Sequence, residues 1–119
     1  MAFLGEESQW AAEAAECAGD QNKYWEYHDL LFNSQNGENQ GAFSKDNLKK
    51  FAATLGLDTN AFNQCVDSGK YTNLVQQQTS IGSSIGIRST PSFAINGKPM
   101  VGAQSFEAFQ QVIEQQLNK

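Results

Sequence analysis

The stretch from Arg88 to Ala103, RSTPSFAINGKPMVGA, decides the fold of this chain. It ends a loop with a Thr-Pro pair, and two short runs of strand-forming residues follow, Ser92–Ile95 and Lys98–Val101. Asn96-Gly97 lies between the two runs, and this pair tolerates the two positive φ angles of a type I′ turn, whose twist matches that of antiparallel strands. The stretch therefore predicts a β-hairpin that is entered directly from a proline.

The two prolines of the chain occupy positions that a hairpin permits. Pro99 lacks an N–H donor, so it suits an edge strand, and Pro91 can open a strand because a missing donor is harmless there. The Thr90–Pro91 bond has two interpretations, a trans bond that ends a loop and a cis bond built into the turn. Ser105 then caps a last helix. The apolar face of that helix consists of Phe106, Phe109, Val112, Ile113 and Leu117.

Helical signals fill the chain before the hairpin. Apolar residues recur at helical spacing in five segments, which cover about 6–18, 23–32, 44–56, 58–69 and 71–85. Ser44 and Asp58 cap the third and fourth helices, which Gly56 and Gly69 end. The second helix is aromatic nearly all round, so we expect most of it to be buried. The first carries glutamates that we expect to form a solvated face favoured by the helix dipole: Glu6, Glu7, Glu13 and Glu16.

Composition limits the classes of function. The chain has 119 residues, enough for one domain with a single core, and 39% of them are hydrophobic. A net charge of -5 and a pI near 4.7 argue against nucleic acid and anionic membranes as partners. No apolar run approaches the roughly 18 residues that a membrane helix needs, and the start of the chain does not read as a signal peptide. Two distant cysteines and one histidine, His28, do not predict a metal site, and we read His28 as structural.

Three stretches of the sequence together resemble a known family. They are AAEAAECAGDQNKYWEYHDLLF (Ala11 to Phe32), LKKFAATLGLDTNAFNQCVDSGKY (Leu48 to Tyr71) and GIRSTPSFAINGKPMVGAQSFEAF (Gly86 to Phe109). In this order they resemble the DsbA-like thiol–disulfide oxidoreductases, which carry a helical domain inserted into a thioredoxin fold. Glutathione transferases share the fold but place their helices after it, whereas here the helices come before the hairpin.

The resemblance implies a fold class of α+β, mostly α, with a partial thioredoxin fold. Residues 5–86 would form the helical insertion domain, and residues 87–119 would form the C-terminal ββα half of the thioredoxin fold. The resemblance also favours a cis bond before Pro91, with the backbone of Thr90 turned outward to pair with an extended peptide. The loop Ser89-Thr90-Pro91 would thus bind substrate, and Pro91 would lie beside the family's dithiol.

The family's catalytic Cys-x-x-Cys does not occur in this chain. It would lie on a segment preceding Phe3, so we expect no catalytic residue and no activity in the chain as given. The resemblance implies protein or peptide thiols and disulfides as partners, no cofactor, and an extracytoplasmic location for the parent protein. The alternative is a redox-inactive module for peptide binding or assembly that uses the same loop.

Cys17 and Cys65 have two interpretations. Each lies on the apolar face of a predicted helix, away from a helix N-terminus, so nothing local marks either as reactive. They are either two buried free thiols or a structural disulfide between the first and fourth helices. Some members of the resembled family carry a second bridge in the helical domain, and a loop of this length could add roughly 4 kcal/mol of stability.

The hairpin raises the question of self-association. A two-stranded sheet is marginal alone in water. Strand Ser92–Ile95 would present unpaired backbone groups at its free edge. We therefore expect a homodimer or higher oligomer, most simply a two-fold dimer that completes a sheet.

Overall fold

The computed structural model describes residues 1–118, and its elements are those of a mostly helical α+β protein. The contacts divide the chain into two compact units, Met1–Ile81 and a second that begins at Gly82. The predicted order of five helices, a hairpin and a helix is confirmed. The elements are α1 (Glu6–Gly19), α2 (Tyr24–Asn33), α3 (Lys45–Thr54), α4 (Thr59–Ser68), α5 (Thr72–Ser84), β1 (Ser92–Ile95), β2 (Lys98–Val101) and α6 (Phe106–Leu117).

Helix α1 lies at the centre of the first unit. It packs against α2, α3 and α4, and its buried face is built of small residues, among them Ala14 and Ala18. Small side chains let neighbouring helices approach closely, and the large ones come from those neighbours. Tyr27, Phe62 and Leu48 are the largest side chains that are fully buried in the described part of the chain.

The predicted starts and stops of α3 and α4 are confirmed. The side chain of Ser44 accepts the N–H of Asn47 at 3.3 Å, and that of Asp58 accepts the N–H of Ala61 at 3.1 Å. Gly69 ends α4 in the left-handed conformation, with φ of 68°, which glycine adopts without the steric cost of a side chain.

Helix α2 is far less buried than its aromatic content predicted. Tyr27 is its only buried residue, whereas Trp25 and Phe32 are 67% and 73% exposed. The helix packs one face onto α1 and α3, Tyr24 is partly buried against the core, and Trp25 and Phe32 lie outside that contact. A count of aromatic residues cannot say which face of a helix finds a partner.

The glutamates of α1 do not form one solvated face. Glu6 is exposed, but Glu7 and Glu13 are only 7% and 6% exposed. Glu7 accepts the backbone N–H groups of Gly41 and Phe43 at 2.9 and 2.8 Å. Glu13 accepts the side-chain amide of Gln9 and the hydroxyl of Thr72. Burial of these carboxylates is compatible with stability because donors satisfy them.

The second unit contains the predicted hairpin. Strands β1 and β2 pair antiparallel, with Phe93 opposite Met100, and both turn residues have positive φ, 49° at Asn96 and 80° at Gly97. Ser105 caps α6 by accepting the N–H of Ala108 at 3.2 Å. Helix α6 packs on β1 through an edge-to-face contact between Phe93 and Phe109, whose ring centroids lie 4.9 Å apart. The outer positions of α6 are exposed: Phe106, Ile113 and Leu117.

Candidate functional site

The loop before β1 is exposed and anchored at its ends. Ser89, Thr90 and Pro91 are all exposed, and the Thr90–Pro91 peptide bond is cis. The hydroxyl of Ser92 donates to the carbonyl of Ser89 at 2.6 Å, and the N–H of Gly102 donates to the carbonyl of Pro91 at 2.8 Å. Thr90 is exposed, and within residues 1–118 its backbone N–H and C=O groups form no hydrogen bond, so both are available to a partner.

The free edge of β1 carries further unpaired backbone N–H and C=O groups next to those of Thr90. Antiparallel partners alternate between hydrogen-bonded and non-hydrogen-bonded pairs. The N–H of Gly102 donates to the carbonyl of Pro91, so that pair is hydrogen-bonded and the next pair along, Ser92 with Val101, is not. Ser92 and Ala94 therefore turn their backbone N–H and C=O groups away from β2, and the backbone groups of Thr90 are also unpaired. Three alternate residues thus offer donors and acceptors along one line.

The two edges of the hairpin differ. Pro99 lies opposite Ala94, in a non-hydrogen-bonded pair, so its missing N–H belongs to the outer side of β2 and removes no bond of the hairpin. Proline and an adjacent Lys98 are residues that protect a strand edge from pairing. Strand β1 contains neither proline nor a charged residue, so its edge is open to a further strand.

An apolar cavity of about 570 Å³ lies against the hairpin and the loop, within the second unit. Its apolar walls come from Ile85, Ile87, Phe93, Pro99, Met100 and Val101, and Arg88 and Ser89 also line it. Outward backbone groups beside an apolar cavity can bind an extended peptide, because the strand edge pairs with the backbone and the cavity takes side chains.

The cysteines are joined to each other. A disulfide links Cys17 of α1 to Cys65 of α4, with Cα atoms 5.9 Å apart and a sequence separation of 48. Of the two interpretations left open by the sequence, the structure has the bridge and no free cysteine. Cys17 is 1% exposed and Cys65 is 9% exposed.

A polar group beside the disulfide was missed by sequence reasoning. The Asp20 carboxylate accepts the ammonium of Lys70 at 2.8 Å and the hydroxyl of Tyr71, and its Oδ2 lies 3.9 Å from Sγ of Cys65. The hydrogen bonds from Lys70 and Tyr71 hold the pKa of Asp20 below its usual value. The bond to Asp20 in turn raises the pKa of Lys70 and that of Tyr71. Fifty positions separate Asp20 from Lys70, so no local pattern indicates this group.

His28 lies on α2 among aromatic rings. Its ring centroid is 5.3 Å from that of Trp25 and 4.7 Å from that of Phe32, and its Nδ1 lies 3.1 Å from the carboxylate of Asp29. Among residues 1–118, no group of three or more His, Cys, Asp or Glu side chains is arranged to hold a metal ion. None of the helices described is long and apolar enough to cross a bilayer.

Comparison with known proteins gives a family match and several relatives. The sequence model described as thioredoxin matches residues 1–115. The Na⁺/H⁺ antiporter NhaA 1 of Salinispora arenicola is 33% identical over 101 residues, which are 85% of this chain and 15% of the antiporter. The Na⁺/H⁺ antiporter NhaA of Herminiimonas arsenicoxydans is 29% identical over 104 residues, 87% of this chain and 16% of that protein.

A further relative carries a name from disulfide chemistry. Disulfide bond formation protein D of Bacillus subtilis is 23% identical over 118 residues, which are 97% of this chain and 53% of that protein. The chain therefore spans between about one seventh and about half of the lengths of these relatives. No solved structure matches the chain significantly.

Proposed function

Since this chain belongs to the thioredoxin-like, DsbA-like family, we propose that it serves thiol–disulfide exchange on protein or peptide substrates outside the cytoplasm. The proposal follows the disulfide bond formation protein, of which the chain covers 53%, and not the antiporters, of which it covers 15% and 16%. In this assignment residues 5–86 are the helical insertion domain and residues 87–119 are the ββα half of the thioredoxin fold.

The role of the described residues is substrate docking. The supporting observation is the open edge formed by Thr90, Ser92 and Ala94, whose outward backbone groups have no partner among the described residues. An extended substrate pairs with this edge through its own backbone, which every sequence possesses, while the adjoining apolar cavity takes its side chains. Backbone pairing suits an oxidoreductase that acts on many different proteins.

The chemical step needs a group that these residues do not supply. Thiol–disulfide exchange proceeds by attack of a thiolate on a disulfide sulfur through a mixed disulfide. The 119 residues contain no Cys-x-x-Cys, and Cys17 and Cys65 are bonded to each other within the helical unit. We therefore expect the chain as given to bind substrate and to show no oxidase or reductase turnover above background.

Backbone pairing can be tested with a peptide and its N-methylated twin. A short unfolded peptide with one blocked cysteine is titrated into the protein, and backbone amide shifts are followed by NMR. We expect shifts centred on Thr90, Ser92 and Ala94. N-methylation of alternate peptide amides removes the donors, so it should abolish binding without changing the side chains. Equal binding of both peptides would contradict docking at the edge.

A protein variant tests the same contact from the other side. Ala94→Pro removes an outward N–H but no hydrogen bond of the hairpin, since Ala94 lies opposite Pro99 in a non-hydrogen-bonded pair. It should weaken peptide binding while the contacts between Phe93 and Met100 persist. Ala94→Ser, which keeps the N–H, is the matched control and should bind as the wild type does.

The second candidate function is a redox-inactive module for peptide binding or assembly. The observation that favours it is that both cysteines lie in one disulfide between helices. A Cys-x-x-Cys encoded in frame ahead of residue 1 in the source gene would assign the chain to an oxidoreductase. Reduction of insulin by the purified chain that disappears on Cys17→Ser would contradict the redox-inactive module and, for the first candidate, the expectation that these residues dock substrate without turnover.

A further inference from the structure

The disulfide of the helical unit opens onto a cavity that contains two charged side chains. The cavity has a volume of about 340 Å³ and lies wholly within the first unit. Both cysteines line it, but Cys65 is 9% exposed to solvent and Cys17 is only 1% exposed. Cys65 is therefore the more accessible of the two cysteines to a small thiol that enters the cavity. Among the side chains that line the cavity, only Asp20 and Lys70 are charged.

We propose that Cys65 is the site at which small thiols react with this disulfide, and that Asp20 and Lys70 select those thiols by charge. Asp20 Oδ2 lies 3.9 Å from Cys65 Sγ and 2.8 Å from the ammonium of Lys70. The hydroxyl of Tyr71 holds the other carboxylate oxygen. The carboxylate is thus fixed beside the sulfur under attack.

The exchange at this site proceeds in two displacements. A thiolate of the small thiol attacks Cys65 Sγ, a mixed disulfide forms there, and the bond to Cys17 breaks. Cys17 leaves as a thiolate and takes a proton from water. A second thiolate attacks the sulfur of the small thiol in the mixed disulfide, which releases Cys65 as a thiolate and the oxidised small disulfide. Two molecules of the small thiol supply the two electrons.

Charge decides how readily this attack occurs. The attacking thiolate is negative, so Asp20 opposes its approach, and Lys70 partly offsets that repulsion. A second negative charge on the thiol adds to the repulsion, whereas an ammonium on the thiol is attracted to the carboxylate. The cavity should therefore admit cationic thiols faster than anionic thiols at equal thiolate concentration.

The test compares two small thiols of opposite charge, cysteamine and 2-mercaptoethanesulfonate. Rates of reduction are measured by mass spectrometry at matched thiolate concentration. Asp20→Asn leaves Lys70 unopposed, so the ratio of the cysteamine rate to the sulfonate rate should fall roughly tenfold. Lys70→Gln leaves Asp20 unopposed, so the same ratio should rise. Asp67→Asn is the control, because it removes a carboxylate of α4 that pairs with Lys49 and does not line the cavity.

Opposite shifts in the two variants distinguish selection by charge from loosened structure. Loosening would speed both thiols by the same factor in either variant, and that result would overturn the role of Asp20. On the unaltered protein, salt should bring the wild-type ratio toward one, since it screens charges at a partly exposed site. A ratio that salt and all variants leave unchanged would also overturn it.

A separate experiment identifies which cysteine sulfur the small thiol attacks. Reduction by cysteamine in the presence of an alkylating agent traps the first intermediate, and peptide mapping locates the two labels. We expect the cysteamine adduct on Cys65 and the alkyl group on Cys17. An adduct formed mainly on Cys17 would overturn the assignment of Cys65.

Discussion

The hydroxyl of Tyr27 donates a 2.8 Å hydrogen bond to the backbone carbonyl of Leu48, and both residues are fully buried. This contact joins α2 to α3 in the interior of the helical unit. The ring of Tyr27 also packs against Phe62 of α4, with centroids 5.5 Å apart. One side chain thus connects three helices, and it does so by apolar contact and by a satisfied polar group together.

Tyr27→Phe should lower the free energy of unfolding by about 1 kcal/mol, because it removes one buried hydrogen bond and leaves the ring contacts in place. Urea denaturation followed by circular dichroism measures the change. Tyr24→Phe is the matched control on the same helix, since the hydroxyl of Tyr24 makes no hydrogen bond within residues 1–118. Equal losses in the two variants would mean that the bond to Leu48 contributes nothing specific.

Tyr27 also predicts a loss of stability at alkaline pH. Burial raises the pKa of its phenol in the folded state above the value near 10 of an unfolded chain. The folded state therefore prefers the neutral phenol. Its contribution is fully present below about pH 10 and is lost as the pH rises above that value. Urea midpoints measured from neutral to strongly alkaline pH should fall less steeply in Tyr27→Phe. Tyr71, whose pKa the bond to Asp20 raises, acts in the same sense, so Tyr71→Phe is measured alongside.

Local chemistry explains which parts of the fold could be predicted from the sequence. Asn96-Gly97 specifies the hairpin turn by its tolerance of positive φ, and Ser44 and Asp58 start helices by bonding to backbone N–H groups three residues ahead. These signals need no knowledge of distant contacts. The burial of α2 depends on which neighbouring helices cover it. The exposure of Trp25 shows that the aromatic content of the helix alone does not predict which of its residues are buried.

The candidate site also has one part that local sequence predicts and another that depends on distant contacts. The loop around Thr90 was found because it directly precedes a recognisable hairpin. The group of Asp20, Lys70 and Tyr71 is assembled by the packing of α1 against the end of α4, and Lys70 and Tyr71 lie 50 and 51 positions from Asp20. Buried Glu7 was missed for the same reason, since its partners, Gly41 and Phe43, are separated from it by more than 30 positions.

The carboxylate of Glu7 should contribute more to the free energy of unfolding than a solvated glutamate of an acidic helix would. Its two oxygens each accept a backbone N–H, from Gly41 and from Phe43, and so anchor the loop that leads into α3. Glu7→Gln puts an amide N–H₂ against one of these donors, so we expect a loss of about 2 kcal/mol in unfolding free energy. Hydrogen exchange at the amides of Gly41 and Phe43 should accelerate. Glu6→Gln, at an exposed neighbouring position, is the control and should be nearly neutral.

The disulfide should stabilise the helical unit chiefly by reducing the conformational entropy of the unfolded chain. It closes a loop across 48 positions, for which chain entropy predicts at most roughly 4 kcal/mol. The double variant Cys17→Ala/Cys65→Ala should therefore unfold at lower urea concentration while keeping its helical circular dichroism spectrum. The wild type, reduced under denaturing conditions and alkylated, is the chemical control and should show a comparable loss. A double variant as stable as the wild type would show that the bridge serves reactivity alone.

The open edge of β1 leads to the last prediction, which concerns assembly. Thr90, Ser92 and Ala94 leave outward backbone groups unpaired, and β1 carries neither charge nor proline to protect them. Two copies can pair these edges antiparallel about a two-fold axis, which satisfies the same donors and acceptors on both. We expect light scattering to give twice the 13.1 kDa of one chain at micromolar concentrations, and Ala94→Pro to give the mass of one chain. Pro99→Ala, on the other edge, should leave the dimer intact. Because a substrate peptide uses the same edge, adding it should split the dimer, whereas its N-methylated twin should not. A wild type of 13.1 kDa under these conditions would contradict the dimer.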